Sequence, residues 1–300
     1  MKPIAASKRQ RLSQVIRLAK IGAMSEKSPF SFVPHHVSPE DPGSAPLCFA
    51  FRKREMLVTE AGLLPPVDVI DEHGIDAVRR QYLGALNGVH CYSLELEAEL
   101  KAPEGLAFRD LRMLFGSLDA NLHAVAGRAV QIVEWDRTHQ FCGECGEKMV
   151  LASLDRSRSC PSCATPMYPR LAPAMICAVE RGNEILLGRS PHFPAGIYSV
   201  LAGFVEPGES AEEAVIREVY EETRIVCDNV QYYSSQAWPF PNSLMLGFTA
   251  QYVSGNVDTE ADELEDADWF AVDDLPTTFP GNISISQWLL NDFIERKRGG

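Results

Sequence analysis

Glu218, Glu221 and Glu222 fall within one stretch of five residues, with Arg217 directly before them and Glu209 one loop upstream. Glu218 and Glu222 are four apart and share a helix face, with Glu221 beside them. Carboxylates crowded onto one turn repel each other. A hard cation such as Mg²⁺, which prefers carboxylate oxygen, relieves that repulsion. Taken alone, three clustered glutamates read more plainly as a solvated acidic helix face. The surroundings add structure to the cluster. Ser210 followed by Glu213 makes a capping box, which starts a helix at Ser210, and a loop punctuated by Gly203, Pro207 and Gly208 leads into it.

A second constellation is built from cysteine. Cys142-Gly-Glu-Cys145 and Cys160-Pro-Ser-Cys163 are two C-x-x-C pairs with fourteen residues between them. That spacing makes a tetrahedral four-thiolate zinc site. Gly143, Gly146 and Pro161 suit the tight turns from which each pair presents its sulfurs. Four thiolates leave no open position for water or substrate, so the zinc is structural and staples a ribbon too small for a core of its own. A redox dithiol pair is the rival reading of the same spacing. Cys48, Cys91, Cys177 and Cys227 are scattered through apolar stretches and read as reduced, buried thiols.

The chain that must position these groups has 300 residues, 45% hydrophobic and 23% charged. Its length suggests two domains, and its composition is that of an ordinary globular protein. No apolar run approaches the roughly 20 residues needed to span a bilayer. A net charge of −13 argues against broad nonspecific DNA binding. It does not exclude an anionic substrate, because a divalent metal inverts the field inside one cleft. Residues 1–23 hold Lys2, Lys8, Arg9, Arg11, Arg17 and Lys20 and no acid. A disordered basic tail has this composition, and so does an organellar transit peptide. A cytoplasmic location is expected, with organellar targeting by this tail as the alternative.

The order of elements follows from periodicity. Residues 1–40 read as basic tail and linker. Residues 41–138 read as an N-terminal α+β domain, with strands at Leu47–Phe51, Met56–Val58 and Val89–Leu96 and helical spacing from Leu106 to Trp135. His123 and His139 read as packing histidines. Residues 139–167 form the zinc ribbon and 168–297 a second α/β domain. Its strands are expected at Ala174–Val179, Glu184–Gly188, Ser199–Ala202, Gln231–Ser235, Leu244–Tyr252 and Asp268–Val272, with a closing helix at Ile285–Glu295. Between two of these strands, Gln236-Ala-Trp-Pro-Phe-Pro-Asn-Ser243 reads as a rigid loop with Pro239 and Pro241 bracketing Phe240. Aromatic groups held this way suit stacking on a planar ring, or simply pack a tight β-connection.

Gly203, Glu209, Arg217, Glu218, Glu221 and Glu222, with aliphatic Val219 and Ile225, resemble the Nudix box G-x5-E-x7-R-E-U-x-E-E-x-G-U. The departure is Arg224, where the family has glycine. Arg224 must adopt a left-handed conformation at about 1 kcal/mol or let the helix run on. The stretch from Ser235 to Ser243 resembles S-Q-P-W-P-F-P-x-S, the signature of the NADH pyrophosphatases within that superfamily, with Ala237 in place of the first proline. The resemblance spans about residues 105–295. It implies an α/β/α sandwich with a mixed sheet, preceded by the zinc ribbon and the N-terminal α+β domain.

The resemblance also implies roles. Glu218, Glu221, Glu222, the distal Glu263 and the Ala202 carbonyl would hold catalytic Mg²⁺ or Mn²⁺. Glu222 would take a proton from water, and Arg217 would orient the glutamates. Substrate would meet Gln236, Ala237, Trp238, Pro239, Phe240, Pro241, Asn242 and Ser243, together with Tyr168, Asp155, Ser286 and Arg112. Asp155 stands where the family has Glu. The implied reaction is hydrolysis of NADH or NAD⁺ to nicotinamide mononucleotide and AMP by a homodimer, with NAD-capped RNA as an alternative substrate. A noncatalytic nucleotide sensor or zinc-ribbon nucleic-acid regulator is the competing reading. Three intact glutamates weigh against it.

Overall fold

Alternating apolar positions along one long strand explain the layering of the C-terminal half. The computed structural model describes residues 31–41, 43, 45–259 and 264–299. The chain divides into two compact units, 1–123 and 124–300. Among the described residues, no helix is long and apolar enough to cross a membrane. The basic tail proposed to carry a targeting signal lies outside the described residues.

The first unit is built on a six-stranded sheet. Its strands are β1 (Phe32–Pro34), β2 (Leu47–Arg52), β3 (Glu55–Thr59), β4 (Arg79–Leu86), β5 (Val89–Glu95) and β6 (Leu106–Asp110), in the order β1-β4-β5-β2-β3-β6. A short helix α1 (Val67–Glu72) buries Ile70 against Cys48, Leu57, Tyr92 and Leu94. The helical reading of residues 106–119 is corrected here. Leu106–Asp110 pairs antiparallel with β3 along its whole length. Leu111–Leu114 is a 3-10 turn. Buried Leu111, Leu114 and Leu118 satisfy a spacing of three and four without any α-helix. The true helix α2 (Ala120–Thr138) starts only after Gly116 turns the chain at φ +83. Asp119 Oδ1 then accepts from the Asn121 and Leu122 amides at 2.9 and 3.3 Å.

The second unit holds two sheets. A three-stranded ribbon comprises β7 (Val150–Leu151), β8 (Arg158–Ser159) and β9 (Pro166–Met167). The larger sheet comprises β10 (Ala172–Arg181), β11 (Glu184–Arg189), β12 (Leu201–Phe204), β13 (Val226–Trp238), β14 (Ser243–Ser254) and β15 (Asp266–Ala271). Its order is β13-β14-β10-β11-β15, with β12 also paired to β10. Only β10 and β14 run parallel, so the sheet is mixed. Met175, Cys177 and Val179 of β10 pack with Ala214, Val215 and Val219 of α3 (Ala211–Thr223). The alternate residues Ile176 and Ala178 pack with Ile285, Leu289 and Phe293 of α4 (Ile285–Arg298). Side chains alternate across a strand, so one strand serves both helices and the result is an α/β/α sandwich.

Two buried carboxylates tie elements together through ion pairs. Glu180 on β10 is buried and meets Arg296 and Lys297 at 2.5 and 3.1 Å, which fastens the end of α4. Asp136 on α2 is buried against Arg158 of β8, whose guanidinium also donates to the Met149 carbonyl at 3.1 Å. Removing one partner from such a buried pair costs about 3–5 kcal/mol.

Candidate active site

α3 begins where the capping box places it. Ser210 Oγ accepts from the Glu213 amide at 3.2 Å, and Glu213 Oε2 accepts from the Ser210 amide at 2.7 Å. The helix then buries Ala214, Val215 and Val219, and Glu218 comes round onto Gly203 of β12. Glu222 is buried, Glu218 is mostly covered, and Glu221 remains exposed.

Glu218 lies directly over the backbone of Gly203. A Cβ on Gly203 would stand 1.9 Å from the Glu218 carboxyl carbon. The glycine is therefore required by close approach, and its φ is not left-handed. Ala202, exposed on β12, is the next residue along.

Arg217 gathers the acids. Its Nε and Nη2 grip Glu209 as a two-pronged fork at 2.5 and 2.8 Å, and Nη2 also donates to the Phe204 carbonyl at 2.9 Å. Its Nη1 meets Glu218 and Glu221, each at 2.9 Å. One guanidinium thus joins the entry loop, the end of β12 and two glutamates of the cluster. The Arg217 hydrogen bonds, helped by the Glu206 amide at 2.9 Å, hold the Glu209 carboxyl down at about 2. The same partners push the pKa of Arg217 upward.

Arg224 closes the helix in a left-handed conformation, φ 59 and ψ 15, with its amide donating to the Tyr220 carbonyl at 2.8 Å. The helix stops where a glycine would stop it. The glutamates ahead of it keep their turn.

The aromatic stretch is a tighter feature than the expected loop. β13 runs through Gln236, Ala237 and Trp238, and Trp238 pairs with Ser243 at the start of β14. Only residues 239–242 are the connection. Trp238 and Phe240 meet edge to face with centroids 5.2 Å apart. Gln236 bridges to the start of α4, donating to the Ile283 carbonyl and accepting from the Ile285 amide, both at 2.8 Å. Asn242 reaches the Arg170 carbonyl at 3.3 Å. Ser286, the second residue of α4, shares a 2.7 Å hydrogen bond with Ser199. Tyr168 donates to Asp155 at 3.2 Å, so these two are held together on the ribbon. Arg112 belongs to the first unit and is exposed on its 3-10 turn. Glu263 lies outside the described residues.

The four ribbon sulfurs converge. Cys142 to Cys163 and Cys145 to Cys163 are 3.6 Å apart, Cys145 to Cys160 is 3.4 Å, and all four lie within 4.8 Å of one another. Zinc–sulfur bonds of about 2.3 Å demand tetrahedral edges of about 3.8 Å. The set fits structural zinc, and no pair is bonded as a disulfide. Gly146 and Ala164 take φ +76 and +62 at the same place in the two turns, so the second turn manages without glycine. His139 packs on α2, its Nδ1 2.8 Å from the Trp135 carbonyl, and His123 stacks on Phe115 at 4.0 Å.

The glutamates of α3 also suit a cation. Every donor there is a carboxylate or carbonyl oxygen, which suits a hard divalent ion, and the bare backbone at Gly203 leaves the room that Glu218 uses. Sequence spacing identified this cluster. It did not identify the Phe204 carbonyl as a tether or the Asp136–Arg158 anchor, because neither has a local pattern.

Family models match three consecutive stretches. An NADH pyrophosphatase-like rudimentary NUDIX domain covers residues 46–135, an NADH pyrophosphatase zinc ribbon domain covers 137–168 and a NUDIX domain covers 170–289. Relatives named NAD-capped RNA hydrolase NudC are similar over most of the chain. The protein of Pseudomonas putida (strain W619) is 44% identical over 243 residues, 81% of this chain and 87% of its own length. That of Pseudomonas fluorescens (strain Pf0-1) is 43% identical over the same shares. That of Stutzerimonas stutzeri (strain A1501) is 41% identical over 247 residues, 82% of this chain and 89% of its own.

Proposed function

We propose that this chain, which belongs to the NADH pyrophosphatase branch of the Nudix hydrolases, cleaves the pyrophosphate bond of NADH or NAD⁺ to nicotinamide mononucleotide and AMP, and removes NAD caps from RNA 5′ ends. The observation that carries the chemistry is the Glu218 carboxylate seated on Gly203, with buried Glu222 one turn further along the helix.

Glu218, Glu221 and Glu222, with the Ala202 carbonyl and Glu263, are the groups we assign to Mg²⁺ or Mn²⁺. Such a cation supplies charge neutralisation on the phosphate oxygens and an acidified water. Glu222 is assigned as the base. Its burial keeps solvent from competing for the proton it accepts. Arg217 is a positioning residue. Its guanidinium is committed to four protein groups, so it sets glutamate geometry and leaves phosphate to others.

Trp238 and Phe240 are assigned as the nucleobase platform. Their edge-to-face packing, with Trp238 ending β13 and Phe240 on the four-residue connection, holds the rings rigid before substrate arrives. Gln236 spends its amide on the start of α4, so it shapes the pocket wall and does not read a base edge with that group. Ser243, buried at the start of β14, belongs to the same wall. Tyr168 with Asp155, Ser286 and Arg112 remain proposed substrate contacts. Homodimerisation and a reducing, cytoplasmic setting belong to the same proposal. The test is a rate comparison of purified protein on NADH, NAD⁺, NAD-capped RNA, ADP-ribose and a diadenosine polyphosphate. NADH, NAD⁺ and the capped RNA should lead. Preference for ADP-ribose or the polyphosphate would overturn the substrate assignment.

A further inference from the structure

Gly127 lies buried inside α2, and its φ is not left-handed. Backbone conformation therefore does not call for glycine there, and glycine is the poorest helix former after proline. Packing does call for it. A Cβ on Gly127 would stand 3.1 Å from Pro239 Cγ, 3.7 Å from Pro239 Cβ and 3.9 Å from Pro239 Cδ, its three nearest neighbours. The ring of one proline fills the space that a side chain would take.

That proline belongs to the proposed nucleobase platform. Pro239 is buried, while Trp238 before it and Phe240 after it are half-buried. The hairpin tip thus rests on α2 through its proline and leaves both flanking rings partly open. The tip is held from its other sides as well. Trp238 pairs with Ser243, the Asn242 side chain donates to the Arg170 carbonyl at 3.3 Å, and the Asn242 carbonyl accepts from the Ala172 amide at 3.0 Å. Pressure applied at Pro239 is therefore passed to the rings on either side of it.

α2 is itself anchored, at Asp136, by Arg158 of the ribbon. It also lies before residues 170–289, which match the NUDIX domain, and Gly127 falls within the rudimentary domain matched at 46–135. A helix from outside the hydrolase domain thus supplies the surface on which the platform leans.

We propose that Gly127 is a positioning residue for dinucleotide binding: the notch it leaves in α2 seats Pro239 and so sets where Trp238 and Phe240 meet a nucleobase. This rests on the platform reading above. The role concerns binding of the base and not cleavage, because the Glu218–Gly203 contact is made by other elements, α3 and β12.

The test is a double-mutant cycle on the full-length protein with NADH and Mg²⁺: Gly127→Ala, Pro239→Ala and both together, each with a thermal melt and a zinc measurement. Gly127→Ala adds the methyl group that presses on the proline ring. Its KM should rise about fivefold, a fraction of what a base gains by stacking on aromatic rings, with kcat within about twofold. Its melting temperature should hold or rise, because alanine favours the helix. Pro239→Ala takes the ring away and weakens binding on its own account. In that background, adding Gly127→Ala should leave KM within about twofold. Independent, multiplicative effects of the two substitutions would overturn the proposal, and so would an unchanged KM in Gly127→Ala. Should Gly127→Ala alone fail to fold, the double variant decides. Folding with the KM of Pro239→Ala supports the notch, and failure to fold overturns it. Wild type inactive on NADH would sink the proposed function itself. An active wild type with no coupling in the cycle would sink only this inference.

Discussion

The carboxyl carbon of Glu218 occupies space that a Cβ on Gly203 would enter to within 1.9 Å. β12 and α3 are thus fitted to each other through one missing methyl group. Gly203→Ala should move the Glu218 carboxylate by about 1.5 Å or more and cut kcat/KM by about a hundredfold. Global stability should change little, because Glu218 can swing outward. Kinetics and a thermal melt on the same sample check this. A variant with near-normal turnover would show that the position of Glu218 is not critical.

Glu209 gives a pH signature. Its folded pKa of about 2 lies below the ordinary 4.5, chiefly through Arg217. A depressed carboxylate contributes stability above its unfolded pKa and loses it as pH falls toward the folded value. The melting-temperature gap between wild type and Glu209→Gln should be full at about pH 6 and narrow from about 4.5 downward. A gap constant across that window would mean the fork contributes through shape and not charge.

Arg224 holds φ 59, a conformation that costs a side-chain-bearing residue about 1 kcal/mol. It recovers part of this by lying 5.5 Å over the Tyr220 ring, a contact worth about 0.5 kcal/mol. Arg224→Gly should therefore raise the melting temperature by about 1–2 °C with turnover unchanged. A drop in melting temperature would assign the arginine a stabilising role that its geometry does not suggest.

These three sites show what the sequence made legible. Ser210 with Glu213, the acids around Arg217 and both cysteine pairs are short-range patterns, and their geometry follows from helix and turn spacing. The six strands of the sandwich sheet were legible because their apolar runs alternate with turn residues. Leu106–Asp110 was not, because its place beside β3 is a long-range pairing, and the leucines after it mimic helical spacing. Trp238 reads as loop because the prolines after it dominate locally, yet pairing with β14 carries the strand onward to it.

Zinc removal tests the ribbon. Metal analysis of the purified protein should find about one zinc per chain. A chelator strong enough to strip it should release the ribbon, loosen the Arg158–Asp136 anchor and lower the melting temperature by about 10 °C. Zinc-free protein with an unchanged melt would contradict the structural role.

The most direct measurement is product identification after NADH is incubated with Mg²⁺ and either wild type or Glu222→Gln. Wild type should yield reduced nicotinamide mononucleotide and AMP. The variant should keep its fold and melting temperature and lose about a thousandfold in turnover. Release of free nicotinamide, or near-normal hydrolysis by Glu222→Gln, would contradict the account.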